Sequence, residues 1–541
     1  MMASPKHEAT SVDPAPKIQE VAAYGDVEAM AKMAKFNPSI TNSPDEQGYF
    51  PLQWCALNNR VRAIVWLLEN GADVHAADSQ KQTALHWAAV RGCNAAAHVL
   101  HASGADSQAR DVKGYTPMHV AAQYGHTSFL YHLTLHCGVE VDACDADGRS
   151  PLHWAAYKGF ANCVRFLLFC DADPCRQDQE GCTPLHWATI KGNGEAVAVL
   201  VEAGGSRLLD LTENTNSTAA DLATQKNHAD LSVLLRVCKA RMERSGWEVK
   251  FPFKHLYQVP THYCLYAGTI FMVVAFIHLV VIFPEGPPRA AHQIDAFTAL
   301  VAWLAVCLAS ASLLFLLRAS TLDPGYISRA SETSRSKGGD DSHRSLADLH
   351  HPALQAGCWH QICPKCKIVQ PVRARHCTQC RRCVRVFDQH CSLIGNCIGA
   401  HNRRDVLLCT VLAVLAMGLA AGVAGSRLMQ LHRQEQTIRH APWLVAWLAG
   451  DLIGLCFTVV LALIKLYEAA KNITSYEMVS KESCTYLMAP DGQFSNPFDK
   501  GIVRNLQEIL SDPLHQVEVV CMDAPEMDAR SVTRGTQNKA G

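Results

Sequence analysis

The chain lacks any excess of charge: 49 lysines and arginines stand against 50 aspartates and glutamates, a net charge of −1 over 541 residues. That balance argues against a nucleic-acid binder, whose domains are basic. Charge of either sign is also scarce, at 18% of residues, where soluble proteins carry about a quarter, so part of the chain is expected in lipid. The opening MMASPKHEATSVDP has no apolar signal core, so a secreted disulfide scaffold is not expected despite 23 cysteines. The compositions of disordered and collagenous chains are absent too. The cysteines cluster instead. Cys358, Cys363, Cys366, Cys377, Cys380, Cys383, Cys391 and Cys397 fall within 40 residues, which in a cytosol-facing protein reads as metal binding. At roughly 100–200 residues per domain, the length suggests about three units.

The first third is a repeat array. Pro51, Ala84, Pro117, Pro151, Pro184 and Ala219 share one register, in steps of 33, 33, 34, 33 and 35 residues. That is the ankyrin period. The copies TALHWAAVRG (83–92), TPMHVAAQYG (116–125), SPLHWAAYKG (150–159) and TPLHWATIKG (183–192) are the clearest, and degenerate copies at 21–30 and 217–227 read as caps. The array is assigned to 18–240, about seven units, after a disordered N-terminus at 1–17. Three residues past the register position stand Trp54, Trp87, Val120, Trp154 and Trp187. In ankyrin proteins this position opens the inner helix near the concave groove. The four indoles either bind a peptide partner or fill the gaps between repeats, since large aromatics serve both roles.

Apolar runs at 263–283, 296–317, 406–425 and 443–464 are each long enough to cross hydrocarbon at about 1.5 Å per residue. Six Lys/Arg lie between 236 and 254 and fourteen between 318 and 405, against one in 284–295 and three in 426–442. The positive-inside rule therefore puts both termini and the 318–405 segment in the cytosol. Asp451, inside the fourth run, either faces a cavity or accepts a hydrogen bond between helices. The polar stretch 331–345 reads as a linker.

Between 363 and 397 stand seven cysteines and two histidines, His376 and His390. Structural zinc takes four such ligands, so two closed sites use eight of the nine and leave one over. The C-x2-C pairs 363/366 and 377/380 are strong zinc signals, but spacing does not identify the spare group. A nucleic-acid finger is not expected between two membrane spans.

This segment resembles the cysteine-rich domain of DHHC protein S-acyltransferases, in the branch with N-terminal ankyrin repeats. The family's Asp-Pro-Gly appears as Asp323-Pro324-Gly325, its Asn-x-Thr-Thr-x-Glu as Asn472, Thr474, Ser475 and Glu477, and its C-terminal fold-back segment as NPFDKGIVRN, which ends at Asn505. The resemblance implies an all-α fold. The ankyrin solenoid would be followed by a four-helix transmembrane domain, with a DPG-bearing linker at 318–357, a zinc domain at 358–405, the family's C-terminal segment at 465–510 and a flexible tail at 511–541. It implies that Cys363, Cys366, His376 and Cys383 hold one zinc and Cys377, Cys380, His390 and Cys397 another. Cys391 is then the spare thiol. It would take a long-chain acyl group from palmitoyl-CoA and pass it to cysteines of cytosolic and membrane proteins recruited by the repeats, with the bilayer receiving the chain. Arg381, Arg382 and Arg385 favour a thiolate nearby, while Arg373 and Arg375 are candidates for the CoA phosphates. The Golgi or another endomembrane is the expected location. Where the family reads Asp-His-His-Cys, this chain reads Asp388-Gln389-His390-Cys391. Glutamine cannot accept a proton, so slowed rather than abolished chemistry is expected, with Asp388 beside the altered base position. Gln370, Ser392, Leu393 and Val406 also depart from the family pattern.

Overall fold

The computed structural model describes residues 17–245, most of 268–276, 296–327, 349–433, 442–481 and 484–511 save 490 and 492. The N-terminus expected to be disordered, the polar linker, most of the first apolar run and most of the tail lie outside those residues. Two compact units emerge. One holds the repeats with 349–369, and the other holds 296–327 with 370–511.

Seven helix pairs form the repeat array. They are Ile18–Tyr24 and Val27–Phe36 (α1, α2), Pro51–Leu57 and Val61–Glu69 (α3, α4), Ala84–Arg91 and Asn94–Ala102 (α5, α6), Pro117–Tyr124 and Thr127–Cys137 (α7, α8), Pro151–Lys158 and Ala161–Phe169 (α9, α10), Pro184–Lys191 and Gly194–Asp210 (α11, α12), and Ala219–Gln225 and Ala229–Ser245 (α13, α14). The register residues open the inner helices because each follows a Thr or Ser cap, or Phe50, and proline is preorganised for a first helical turn. His86, His119 and His153 do two jobs. Their Nδ1 accepts from the cap N–H of Thr83, Thr116 and Ser150 at 3.1–3.2 Å. Their Nε2 reaches the next repeat's carbonyl at Tyr115, Arg149 and Cys182, 2.9–3.2 Å away. Burial pushes His119 and His153 down to about 4, so they stay neutral and fix the tautomer that links repeats. Gly125 closes α7 at φ 81°, and a Cβ there would meet the Phe160 ring at 2.7 Å. Phe129, Leu130, Leu133, Phe166 and Leu167 are fully buried between the layers.

The same unit carries 349–369 against its outer helices. Leu349, Leu354 and Ile362 join the repeat core. Trp359 lies tilted against Tyr131 and edge-on to Phe166, ring centres 5.5 and 5.8 Å away, and the Tyr131 hydroxyl donates to the Leu349 carbonyl at 2.8 Å. Lys367 pairs with Asp171 and donates to the Leu168 carbonyl. A short hairpin, β1 (Ile362–Cys363) and β2 (Ile368–Val369), closes this segment.

In the second unit three helices among the described residues are long and apolar enough to cross a membrane: α15 (Ala296–Thr321), α16 (Arg403–Arg433) and α17 (Pro442–Lys471). α16 and α17 overrun the apolar stretches read from sequence because their polar ends, Arg403–Asp405 and Lys465–Lys471, find partners in the cysteine-rich and C-terminal segments. Ala302, Ala305, Ala420 and Ala424 pack near Trp447, small residues that let helix backbones approach. Asp451 is buried, and its Oδ2 has no hydrogen-bond partner among the described residues. Beyond α17 come α18 (Ser475–Val479) and α19 (Ile502–Leu510). The all-α expectation is amended by three two-stranded hairpins in the cysteine-rich segment: β1–β2, β3–β4 (Arg375–Cys377, Arg382–Val384) and β5–β6 (Gln389–Cys391, Asn396–Ile398).

Trp359 is the half-buried anchor of the 349–369 segment. Trp359→Ala is expected to cost about 2 kcal/mol, roughly half of a fully buried Trp-to-Ala change. Hydrogen exchange across 349–363 should quicken about 30-fold, with α8 and α10 unchanged.

Candidate active site and metal clusters

The three hairpins are copies of one another. Cys363, Cys377 and Cys391 each end a first strand, in equal steps of 14 residues, and each is followed by a four-residue loop. The third loop residue is Cys366 in the first copy, Cys380 in the second and Ile394 in the third. The loops close on a left-handed residue, Lys367 at φ 55°, Arg381 at φ 54° and Gly395 at φ 64°. In the first two copies the backbone N–H of the second cysteine points at the sulfur of the first, 3.4 Å away. The third copy has no second cysteine to share an ion with Cys391.

Strand alternation then sorts the ligands. His376 pairs directly across from Cys383 and His390 from Cys397, so each pair shares one hairpin face. Cys377 and Cys391, one residue on, turn to the opposite face. Two donor groups result, Cys363, Cys366, His376 and Cys383 in one and Cys377, Cys380, His390 and Cys397 in the other, with the ligand atoms of each within 4.8 Å of one another. In the second group His390 Nδ1 lies 3.3, 3.6 and 3.8 Å from the sulfurs of Cys380, Cys397 and Cys377. A tetrahedral zinc ion about 2.3 Å from sulfur and 2.0 Å from nitrogen sets edges of about 3.5–3.8 Å. The donors therefore fit zinc. Gln370 donates from Nε2 to Cys383 Sγ at 3.0 Å, the kind of outer contact that steadies a ligand thiolate. Cys391 belongs to neither group and is partly exposed, on the same strand face as the exposed Gln389.

Beneath this strand lies a knot of buried charge. Asp388, 1% exposed, accepts from Lys465 Nζ at 2.6 Å and from the Ser475 N–H at 2.5 Å. Lys465 also donates to Glu468 and the Ser475 hydroxyl at 2.8 and 3.0 Å. Burial opposes ionisation of Asp388, but Lys465, Arg403 and Ser475 outweigh it and hold the carboxyl below its usual range. Both its oxygens are thus committed, and no hydrogen bond joins Asp388 to Gln389 among the described residues.

The remaining motif residues brace this knot. Thr474 and Glu477 form a capping box on α18. Asn472, at φ 45°, lies in the turn between α17 and α18 and donates to the Phe498 carbonyl at 3.2 Å, while Arg403 donates to the carbonyls of Glu468 in α17 and Ile473 in the turn. Asn505 donates to the Ala470 carbonyl and to Asp499, both at 2.7 Å. Asp323 accepts from the N–H groups of Gly325 and Tyr326 at 2.8 and 2.7 Å. That turn follows Pro324, and its Gly325 carbonyl receives the Arg385 N–H. Asn396 and Asn402 donate to the Ala319 carbonyl at 3.2 and 3.0 Å, satisfying a helix-end acceptor of α15.

Arg373 requires a correction. Offered above to the CoA phosphates, it is 8% exposed and forms a bidentate pair with Glu477 at 2.7 and 2.8 Å, with two further bonds to Asn472. Its donors are spent inside the fold. Arg375 is half-buried beside Tyr476, ring centre 5.4 Å away, and its Nε has no partner among the described residues. Of the indoles, Trp87, Trp154 and Trp187 donate from Nε1 to Asp78, Asp145 and Asp178 at 2.9–3.2 Å. Each is half-buried, with Tyr49, Tyr115 or Tyr157 at its edge, and Trp54 lies tilted against Trp87 with ring centres 5.6 Å apart. Each indole therefore packs on one side and keeps the other partly exposed. Lys465 and Glu468 went unread from sequence, since they stood at the end of an apolar run. The 14-residue step that singles out Cys391 was present but hidden behind the C-x2-C pairs.

The DHHC palmitoyltransferase family matches residues 358–482, and ankyrin repeats match 18–111, 94–178, 118–208 and 167–244. "Probable protein S-acyltransferase 23" of Arabidopsis thaliana is 37% identical over 90% of this chain and 91% of its own length. "Palmitoyltransferase akr1" of Schizosaccharomyces pombe is 27% identical over 88% of this chain and 85% of its own.

The hairpin copies predict a sharp contrast. Removing a ligand by Cys377→Ser or His390→Ala should lower zinc content and expose 363–397 to proteolysis, while Cys391→Ser should leave both unchanged. Elemental analysis with limited digestion reads the difference.

Proposed function

The chain belongs to the DHHC palmitoyltransferase family, and on that premise we propose that Cys391 is the nucleophile of a membrane-bound protein S-acyltransferase that takes its acyl group from a long-chain acyl-CoA. The observation that carries this reading is the third hairpin: a cysteine at the ligand position whose loop offers Ile394 instead of a second cysteine, leaving its thiol outside both donor groups. The Cys391 thiolate attacks the thioester carbonyl, a bond forms from sulfur to the acyl carbon, and CoA leaves as its thiolate. A substrate cysteine thiolate then attacks the acyl-enzyme and Cys391 leaves in turn, so no oxidant or further reagent is needed. Zinc in the two Cys/His groups would supply folding energy and fix the hairpins, without taking part in the transfer.

In this reading Lys465, Ser475 and Asp388 hold strand β5 in place, and Arg375 is the arginine available to CoA phosphate. The apolar run at 263–283 supplies a fourth span, both termini and the cysteine-rich segment lie in the cytosol, and the protein resides in the Golgi or another endomembrane. The ankyrin repeats recruit protein substrates, and their half-exposed indoles are the surface for doing so.

Purified protein incubated with a labelled acyl-CoA analogue tests the chemistry. Labelling should be slow at neutral pH and rise with pH, because only the thiolate attacks and Gln389 takes no proton. Gln389→His should raise the neutral-pH rate about ten-fold, at the lower end of what a positioned base provides, and Cys391→Ser should abolish label. Label in neither wild type nor Gln389→His above the Cys391→Ser control, at any pH, would leave a membrane-anchored ankyrin scaffold. Recruitment has its own test: Trp154→Ala should weaken capture of a protein substrate while acyl-enzyme formation is unchanged. A lowered melting temperature of the repeats with capture intact would assign the indole to packing.

A further inference from the structure

On the outer layer of the repeats, far in sequence from the cysteine-rich segment, four histidines gather on two neighbouring helices. α6 carries His98 and His101, and α8 carries His132 and His136. Spacings of three and four residues put each pair on one helix face. The His132 ring centre lies 4.8 Å from that of His136 and 6.0 Å from that of His98, and His98 and His136 are 6.1 Å apart. Three imidazoles that share one ion through nitrogens about 2.0–2.1 Å from it have ring centres roughly 5 Å apart. The observed triangle is close to that size.

A second observation points to a ligand. His132 is 8% exposed, and its buried Nε2 has no hydrogen-bond partner among the described residues. The Nδ1 of His101 is buried and unpartnered as well. Unpaired buried nitrogens cost stability and call for an explanation such as an ion. Three imidazoles of the inner helices show the contrast: His86, His119 and His153 satisfy both ring nitrogens between repeats, whereas His186 in the following repeat pairs through Nδ1 and has no partner for Nε2 among the described residues. His98 and His136 are exposed, so their rings can turn about the side-chain bonds to bring nitrogens onto one point beside His132. A buried imidazole is held neutral, which is the ligating form.

We propose that His98, His132 and His136 form a transition-metal site for zinc or another imidazole-preferring divalent ion, with His101 or water completing the coordination. The site staples the outer helices of two adjacent repeats. Its donors are nitrogen alone, so it binds more weakly than the thiolate groups and reports on free metal rather than holding it permanently.

The test uses the full-length protein in detergent, freed of loosely held metal with a weak chelator and titrated with Zn²⁺. One site per chain should appear beyond the tightly held zinc, and hydrogen exchange over 94–102 and 127–137 should slow on addition. His98→Gln with His136→Gln, two exposed changes that leave the core intact, should weaken this site at least ten-fold and remove the slowing. Tightly held zinc should be the same in both proteins, so the difference between them is independent of how much zinc the cysteine groups carry and of any acyl transfer. No additional site, or one that survives the double substitution with unchanged affinity, would overturn the proposal.

Discussion

The second unit is organised around a buried set of balanced charges where α17 ends. Arg373, Arg403 and Lys465 face Asp388, Glu468 and Glu477, all nearly inaccessible to water, and every one is hydrogen-bonded to another member or to the α17–α18 turn. Buried ions are tolerated only with such pairing, and removing one partner strands a charge at a cost of about 3–5 kcal/mol. The six residues come from three sequence regions: the cysteine-rich segment, the start of α16, and the end of α17 with α18. Each region can adopt its place only when the other two are present, so the knot fixes the hairpins against the helix ends more firmly than their few strand residues could. The capping box of Thr474 and Glu477 belongs to the same logic, because Glu477 both caps α18 and receives Arg373.

The hairpins turn a ligand list into an assignment. In an extended strand, neighbours point to opposite faces, so His376 and Cys377 cannot serve one ion, and His390 and Cys391 cannot either. Direct pairing of His376 with Cys383 and of His390 with Cys397 sets the two donor groups. A tight turn supplies the C-x2-C cysteines of each. Cys391 is spare for a positive reason: it holds a ligand position in a copy whose loop carries Ile394 in place of a second cysteine. An apolar residue there is buried and asks nothing of a metal.

How far the sequence could be read followed from the range of the forces involved. Repeat register and apolar length are local, and the register residues open the inner helices while the apolar runs at 296–317, 406–425 and 443–464 lie within α15, α16 and α17. The burial of Arg373 could not be read because a basic residue in the cysteine-rich segment is equally suited to phosphate or to a distant carboxylate, and Glu477 stands 104 residues away. Lys465 was missed because nothing in an apolar run announces a partner 77 residues earlier. The histidines of α6 and α8 were legible in principle: His98 and His132 sit 34 residues apart, one repeat period, and residues one period apart are neighbours in a solenoid.

The charge knot also explains how this chain can carry glutamine at position 389. A positioned base that depended on Asp388 for its orientation would leave that carboxylate unsatisfied when lost, and a buried unpaired charge would then destabilise the hairpin. Here Asp388 spends both oxygens on Lys465 and Ser475, and residue 389 is exposed on the other side of the strand. The packing beneath Cys391 therefore makes no use of the side chain at 389, and a change there leaves the Asp388 contacts in place. Burial and ion pairing pull the ionisation of Asp388 and Glu477 in opposite directions, and pairing wins for both, holding each below its usual range. Their contribution to stability is consequently whole above the ordinary carboxylate range and is lost only as pH falls through their lowered values, so the scaffold beneath strand β5 stays intact at neutral and alkaline pH.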